Sequence, residues 1–408
     1  MEDSGTVGPR AGVVPRFVLV RDTGATPPLD PVAASAPAAA SSSATPGGGA
    51  DRLLGALPLY RKIHGYGEFI FDWSWANAAH RSGIAYYPKM VAAIPFTPAT
   101  GARLLVDPTL EASRRAAVVA QLLTGARAAA DAEKASSLHV LFCTEDEAAV
   151  LGAGGFMPRL SLQFHWHNRP GTPYRDFDDY LGAMKSRHRK QIRHERRVAA
   201  EHGLALETRA GSELAPADWA ALGAFYSANA DRHGSIEYLK PEFFDLMRST
   251  YAHRVVATLA YRDGAPVAGT FNFEKGRHLY GRYWGCLGDF EMLHFELCYH
   301  RLIERAIARG YTRFEAGAQG EHKLKRGLVP AFTHSAHWIR HPGLAAAVGR
   351  FIDEETEAIR QQAAAYSAEA PFRVEGGAAP RADPAVDRGA EAPSARDQGS
   401  DPDSGPRT

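Results

Sequence analysis

Residues 277–316 carry the pattern that most limits what this chain can fold into. RHLYGRYWGC reads as a strand and YTRFEA as a second one. Between them, over about 290–309, apolar side chains recur at helical spacing at Phe295, Cys298, Tyr299, Leu302, Ile303 and Ala306. A strand, a one-faced helix and a strand in that order form a crossover joining two parallel strands, with the helix laid on the sheet.

The same succession runs through the rest of the chain. In the first half the spacing predicts strands at RFVLVRD, LLGALPLYRK, YYPKMVAAIPF (86–96), SLHVLF (137–142) and SLQFHW (161–166), with a helix over 111–133. GYGEFIFDWSW (65–75) alternates as a strand, placing Phe69, Phe71 and Trp73 on one face and Tyr66, Glu68, Ile70 and Asp72 on the other. On such a strand Glu68 and Asp72 stand ~13 Å apart, so only one of them faces a substrate. A long basic helix over 176–202 leads to helices near 216–230 and 241–250, and strands HRVVATLAYR and APVAGTFNFEK. The expectation is a mixed α+β chain of two domains, 1–165 and 166–345, related by structural duplication, with a C-terminal helix over 346–372. Two Ala/Pro/Ser/Gly-rich segments, 23–51 and 373–408, lack the large apolar residues that offset ordering entropy and read as disordered. The first sits like an oversized hairpin loop between two strands.

Composition narrows the partners. A net charge of +1 over 408 residues gives no global attraction to nucleic acid or an anionic membrane, and DNA is not an expected partner. Three separated cysteines, Cys143, Cys286 and Cys298, fit neither a disulfide framework nor a zinc ribbon and point to a reducing cytoplasm. The N-terminus reads as no secretory signal, and no apolar run approaches the ~20 residues of a membrane span. Abundant Arg and Ala suggest a GC-rich bacterial genome.

Several chemistries drop out for want of residues. GAQGEHK lacks the second glycine and the Ser/Thr of a phosphate-binding loop, and neither HExxH nor GxSxG occurs. His165 and His167 share a strand face but have no adjacent Cys or carboxylate pair, so no metal site is expected. KSRHRKQIRHERR (185–197) sets seven Lys/Arg against one Glu, either a solvated face or a landing for a phosphate-rich donor or RNA. Glu296, His300 and Glu304, four apart, can form an exposed ladder, whereas His294 lies near a strand end, where crossover folds place ligands. FEAGAQGEHKLK (314–325) packs Glu321, His322 and Lys323 together behind two glycines, as a polar turn or as a wall of an active site.

YGEFIFDWSWANA, YYPKMVAAIPFTPATGARLL, LHFELCYHRLIERAIARGYTRFEAGAQGEHKLKRGLVP and SAHWI resemble the bacterial N-acyltransferases described as FemAB-like or peptidoglycan biosynthesis/recognition proteins, of the GNAT (acyl-CoA N-acyltransferase) superfamily. The likeness covers about 9–340, apart from the 23–51 insert. It implies two tandem GNAT-like domains, each a mostly antiparallel sheet with one splayed parallel pair, flanked by helices. The donor's arm would lie in the splay and an amine would attack its carbonyl. GAQGEHK would then wall the gap between RHLYGRYWGC and YTRFEA. The implied reaction transfers an acyl or aminoacyl group from a CoA thioester or aminoacyl-tRNA to an amine, such as a cell-wall precursor, with no tightly bound cofactor. Glu321, His322, His294 or Glu296 would serve as base, with Lys323 steadying phosphate or oxyanion. Gln319, Gly320, Tyr283, Trp284, Asp72 and Trp73 would line the substrates, with Gly101 and Arg103 of TPATGAR taking a CoA pyrophosphate. Asp289 and Glu291 in the other loop would repel phosphate, so either CoA binds through TPATGAR or the donor is an aminoacyl-tRNA, which the basic helix suits. A catalytically silent binding protein of the same fold, or a nonspecific RNA binder resting on the basic helix alone, would be the competing readings.

Overall fold

A computed structural model describes residues 1–22, 52–318 and 320–373. The two expected low-complexity segments lie outside these residues, save Arg373. The first half contains β1 (Val13–Pro15), β2 (Val18–Asp22), β3 (Arg52–Leu57), β4 (Leu59–Lys62), α1 (Trp73–Arg81), β5 (Lys89–Ala92), β6 (Leu105–Val106), α2 (Ala112–Ala132), β7 (Ser137–Cys143), α3 (Glu145–Ala153) and β8 (Met157–His167). The second contains α4 (Phe177–Gly182), α5 (Ser186–Glu201), β9 (Ala205–Ala210), α6 (Pro216–Arg232), α7 (Pro241–Leu246), β10 (Val255–Arg262), β11 (Ala265–Lys275) and β12 (His278–Cys286). The crossover follows as α8 (Leu293–Phe295), a π turn (Glu296–His300) and α9 (Arg301–Ala308), then come β13 (Arg313–Glu315), β14 (Val329–Ile339) and α10 (Pro342–Ala368).

Eleven of these strands form one sheet in the order β1-β4-β5-β7-β14-β8-β13-β12-β11-β10-β9, and β2, β3 and β6 form a small second sheet. Each half contributes one parallel pair, β5 with β7 and β12 with β13, and the other neighbours are antiparallel. The fold is thus mixed α+β with a mostly antiparallel sheet. The halves also exchange strands: β8 of the first pairs with β13 of the second, and β14 of the second pairs with β7 of the first. The expected boundary at 165/166 falls inside β8. β2 and β3, which flank the undescribed residues 23–51, pair antiparallel.

The crossover stripe packs as its spacing requires. Tyr299, Leu302, Ile303 and Ala306 are buried with Trp166, Tyr180, Leu279 and Phe314, and Phe295 and Cys298 pack at the margin of this core. Every residue of β7 is buried, as expected of a strand flanked on both edges and covered on both faces. The basic stretch forms two helices, α4 and α5, with Ile192 and Ala199 facing inward.

Residues 65–75 depart from the expected strand. They turn, with Gly67 at φ +73°, and enter α1 at Trp73. Long-range charge decides this. Lys89 Nζ lies 2.8 Å from Glu68 and 2.5 Å from Asp72, and Lys62 Nζ lies 2.9 Å from Glu68, all buried. A strand would hold the two carboxylates too far apart to share Lys89, and leaving buried charges unpaired costs several kcal/mol each. Both acids therefore turn inward onto Lys89, and the separation expected of them on a strand does not occur.

Candidate active site

The second half opens where the sequence places its crossover. β12 and β13 pair only through His278–Arg313, Leu279–Phe314 and Tyr280–Glu315. Beyond Tyr280, β12 continues to Cys286 alongside β11 alone, with a bulge at Arg282 that bends it away. β13 ends at Glu315, and the chain turns through Gly317 (φ +84°) and Gly320 (φ +115°) into a 3-10 turn, Glu321–Arg326. Only glycine enters those regions without strain, so the two glycines carry the turn away from β12. On the other side α6 seals the end of β12. A Cβ on Gly285 would stand 1.9 Å from the Phe225 carbonyl oxygen.

Four side chains meet at the mouth of this gap. The His294 ring lies 5.2 Å from Trp284, 5.6 Å from Tyr299 and 6.3 Å from His322, centroid to centroid. Tyr299 Oη and His322 Nε2 are hydrogen-bonded at 3.0 Å. Lys323 is 2 % exposed, donates from Nζ to the Gly317 carbonyl at 2.8 Å, and has no ion-pair partner among the described residues. Burial lowers its ammonium to about 8. Burial, then the nearby His322, Arg326 and Lys323 charges, lowers His294 to about 4, so its imidazole is neutral. His322 is also lowered, by partial desolvation and the charges of Arg326 and Lys323, while its ring stays open to solvent.

A buried clamp holds the turn that presents His322 and Lys323. Arg326 binds Glu195 of α5 bidentately, at 2.7 and 3.0 Å, and donates to the His322 carbonyl at 2.7 Å. Its guanidinium lies 3.4 Å over the Phe295 ring, and His300 Nε2 meets Glu195 at 3.0 Å. Tyr299, Glu195, His300 and Arg326 were not legible as site residues. The one signal was Glu195 itself, the lone acid within seven bases.

A family model for FemAB-like proteins, described as peptidoglycan biosynthesis/recognition, matches residues 1–374. The chain belongs to the FemAB-like family. The class of enzyme that this resemblance implies, a transferase acting on amino groups, stands with it. Comparison with curated proteins gives no match. Solved structures with a weaker likeness include FemX, 12 % identical over 86 % of this chain and 93 % of that one, TM-score 0.47. The C-terminal domain of a putative lysylphosphatidylglycerol synthetase from Agrobacterium fabrum is 12 % identical over 71 % and 84 %, TM-score 0.45. A tandem GNAT protein from the clavulanic acid biosynthesis pathway is 14 % identical over 72 % and 81 %, TM-score 0.37.

Several candidates of this FemAB-like chain lie elsewhere. Glu296 turns toward α5, where it meets Arg196 at 3.2 Å and Arg301 at 3.1 Å. Glu321 faces α10 and accepts a hydrogen bond from Tyr366. Gly320 is in the turn, and Gln319 lies outside the described residues. Tyr283 directs its hydroxyl to the Phe96 carbonyl at 3.1 Å. Arg103 is 1 % exposed and binds the carbonyls of Leu141, Gly101 and Ala99, so it is not available to pyrophosphate. Gly101 N–H donates to the Phe142 carbonyl at 3.1 Å. TPATGAR thus lies against the end of β7 and reaches β13, where the Thr100 N–H donates to Glu315 at 3.2 Å. Asp72 is buried on Lys89 and Tyr86, while Trp73 is exposed. Burial alone would raise the Asp72 carboxyl, but the Lys89 charge and these hydrogen bonds hold it below its ordinary value. His165 is buried against Gln163, and no metal-holding group of His, Cys, Asp or Glu occurs among the described residues. The open groove lined by Arg254, Glu274, Lys275 and Arg309 lies at the β11–β12 turn, the other end of β12 from these side chains.

Proposed function

We propose that this protein transfers an acyl or aminoacyl group to an amine in the gap between β12 and β13. The observation that carries this reading is Lys323, a buried lysine with no ion-pair partner among the described residues, at the mouth of a parallel strand pair that separates. A charge left in such a place costs stability, and sites keep that cost where chemistry uses it. The donor's arm would lie along the open edge of β12, as an added strand would. The acceptor nitrogen bonds to the donor carbonyl carbon, and the resulting oxyanion is met by the Lys323 ammonium. His322, neutral near pH 7 and oriented by Tyr299, takes the proton from the attacking nitrogen. The carbon–sulfur bond of a thioester, or the carbon–oxygen bond of an aminoacyl ester, then breaks, and the leaving group takes a proton from Lys323 or water.

The surroundings favour the larger donor. Arg187, Lys190, Arg193 and Arg197 are exposed on α5, which packs against the 3-10 turn bearing exposed Lys325. The loop after β12 exposes Asp289 and Glu291, a poor cradle for pyrophosphate. An aminoacyl-tRNA therefore suits the site better than a CoA thioester, with a peptidoglycan precursor amine as acceptor. Among the described residues no helix is long and apolar enough to cross a membrane.

The test pairs donor binding with turnover. Incubation with charged tRNA or a panel of acyl-CoA thioesters and an amine-bearing precursor should give an amide product by mass spectrometry, and Lys323→Met should abolish it. A bound donor at 100 times its dissociation constant should stabilise the protein by about 2.7 kcal/mol. No product and no stabilisation with any donor would return the protein to a silent binding role.

A further inference from the structure

The small sheet carries a feature that the transfer chemistry does not use. Its strand order is β2-β3-β6, and its inner face lies flush on α2: a Cβ on Gly125 would stand 2.5 Å from Val18, and one on Gly55 2.5 Å from Val118. Val18, Val20 and Val106 pack there against the first-half core. Strand alternation sends the residues between them to the opposite face. Leu19, Ala56 and Leu105 are direct partners across the three strands, and Leu53 stands opposite Arg21 in the next row. Phe17, Leu19, Leu53 and Leu105 are each 45–47 % exposed. An antiparallel sheet with one face on the core ordinarily turns polar side chains outward, and this one turns leucines outward instead.

We propose that the outer face of β2, β3 and β6 is the contact through which two copies of this chain associate. Together the four side chains present on the order of 300 Å² of apolar surface, in the range where such patches mark interaction sites. Two copies withdraw roughly twice that from water, and with the usual share of polar rim the interface totals about 1,000 Å². That meets the size a specific contact needs and falls short of an obligate one, so the dimer is reversible. A two-fold contact sets a patch against itself, which an apolar face satisfies without matching charges. The net charge of +1 gives two copies little to repel. The chain's own residues 23–51 match the face less well, since apart from alanine and proline their only apolar side chains are Leu29 and Val32. Association through this face is independent of transfer in the gap between β12 and β13.

Sedimentation velocity of the full chain over about 1 to 200 µM tests this directly. The mass is expected to rise with concentration from 44.2 kDa toward twice that value and to stop there, because a two-fold contact closes on itself. Leu19→Lys combined with Leu105→Lys, both at exposed positions, should weaken association at least about tenfold without unfolding the dilute protein. Leu53→Glu gives the same reading should that pair fail to fold. Leu287→Lys, at an exposed leucine after β12, should associate as the wild type does. A mass that stays at 44.2 kDa throughout would overturn the proposal and leave the face to residues 23–51 or to a different partner. Growth past two copies, association undiminished in the folded patch variants, or equal loss in Leu287→Lys would overturn it as well.

Discussion

Replacing Lys323 by methionine should make the protein more stable at neutral pH while removing its activity. Burial takes the Lys323 ammonium from its ordinary 10.5 to about 8. Each pH unit of displacement is worth about 1.4 kcal/mol, so the buried charge costs roughly 3 kcal/mol when protonated. Methionine has a similar length and no charge, and it forfeits only the hydrogen bond to the Gly317 carbonyl, about 1 kcal/mol. A net gain of roughly 2 kcal/mol is expected at pH 7. The folded pKa lies below the unfolded one, so between about 8 and 10.5 the unfolded chain holds a proton that the folded chain has released. Wild-type stability therefore rises relative to the variant across that window, and the lysine's cost is fully present only below it. Urea denaturation of both proteins at pH 7, 9 and 10.5 measures this directly. A variant less stable than the wild type at pH 7, or a difference that stays constant to pH 10.5, would show that Lys323 is solvated and refute the reasoning.

Turnover should follow a bell-shaped pH profile, rising as His322 loses its proton below its ordinary value and falling as Lys323 loses its own near pH 8. The profile of Lys323→Arg should extend to higher pH if any activity remains. Glu195→Ala should destabilise the fold by roughly 3–5 kcal/mol in denaturant titrations, because it strands the buried Arg326 guanidinium. Gly285→Ala forces a methyl onto the Phe225 carbonyl oxygen and should cost about 1–3 kcal/mol or more, read as a lowered thermal midpoint. Glu321→Ala removes one exposed hydrogen bond to Tyr366 and should change stability by no more than about 0.5 kcal/mol, with turnover intact.

Local periodicity was enough to reveal the crossover. The apolar stripe from Phe295 to Ala306 and the two flanking strands are written within forty residues, and a strand, a helix and a strand have one common way to pack. The glycines that turn the chain out of β13, and the histidine and lysine they deliver, were legible for the same reason. Pairings between distant residues were not. Linear spacing carries no record that Lys89 draws Glu68 and Asp72 inward, so an alternating stretch read as a strand became a turn and a helix. It does not show that Arg103 spends its guanidinium on the chain's own carbonyls, or that Glu195 clamps Arg326 behind the site. Nor does it show that β8 and β14 change places between the halves. Those outcomes depend on which groups lose their water together, and desolvation is a property of the assembled fold. The sequence by itself determined that two parallel strands would meet in the second half. Only the tertiary structure decided that they part again beside a buried lysine.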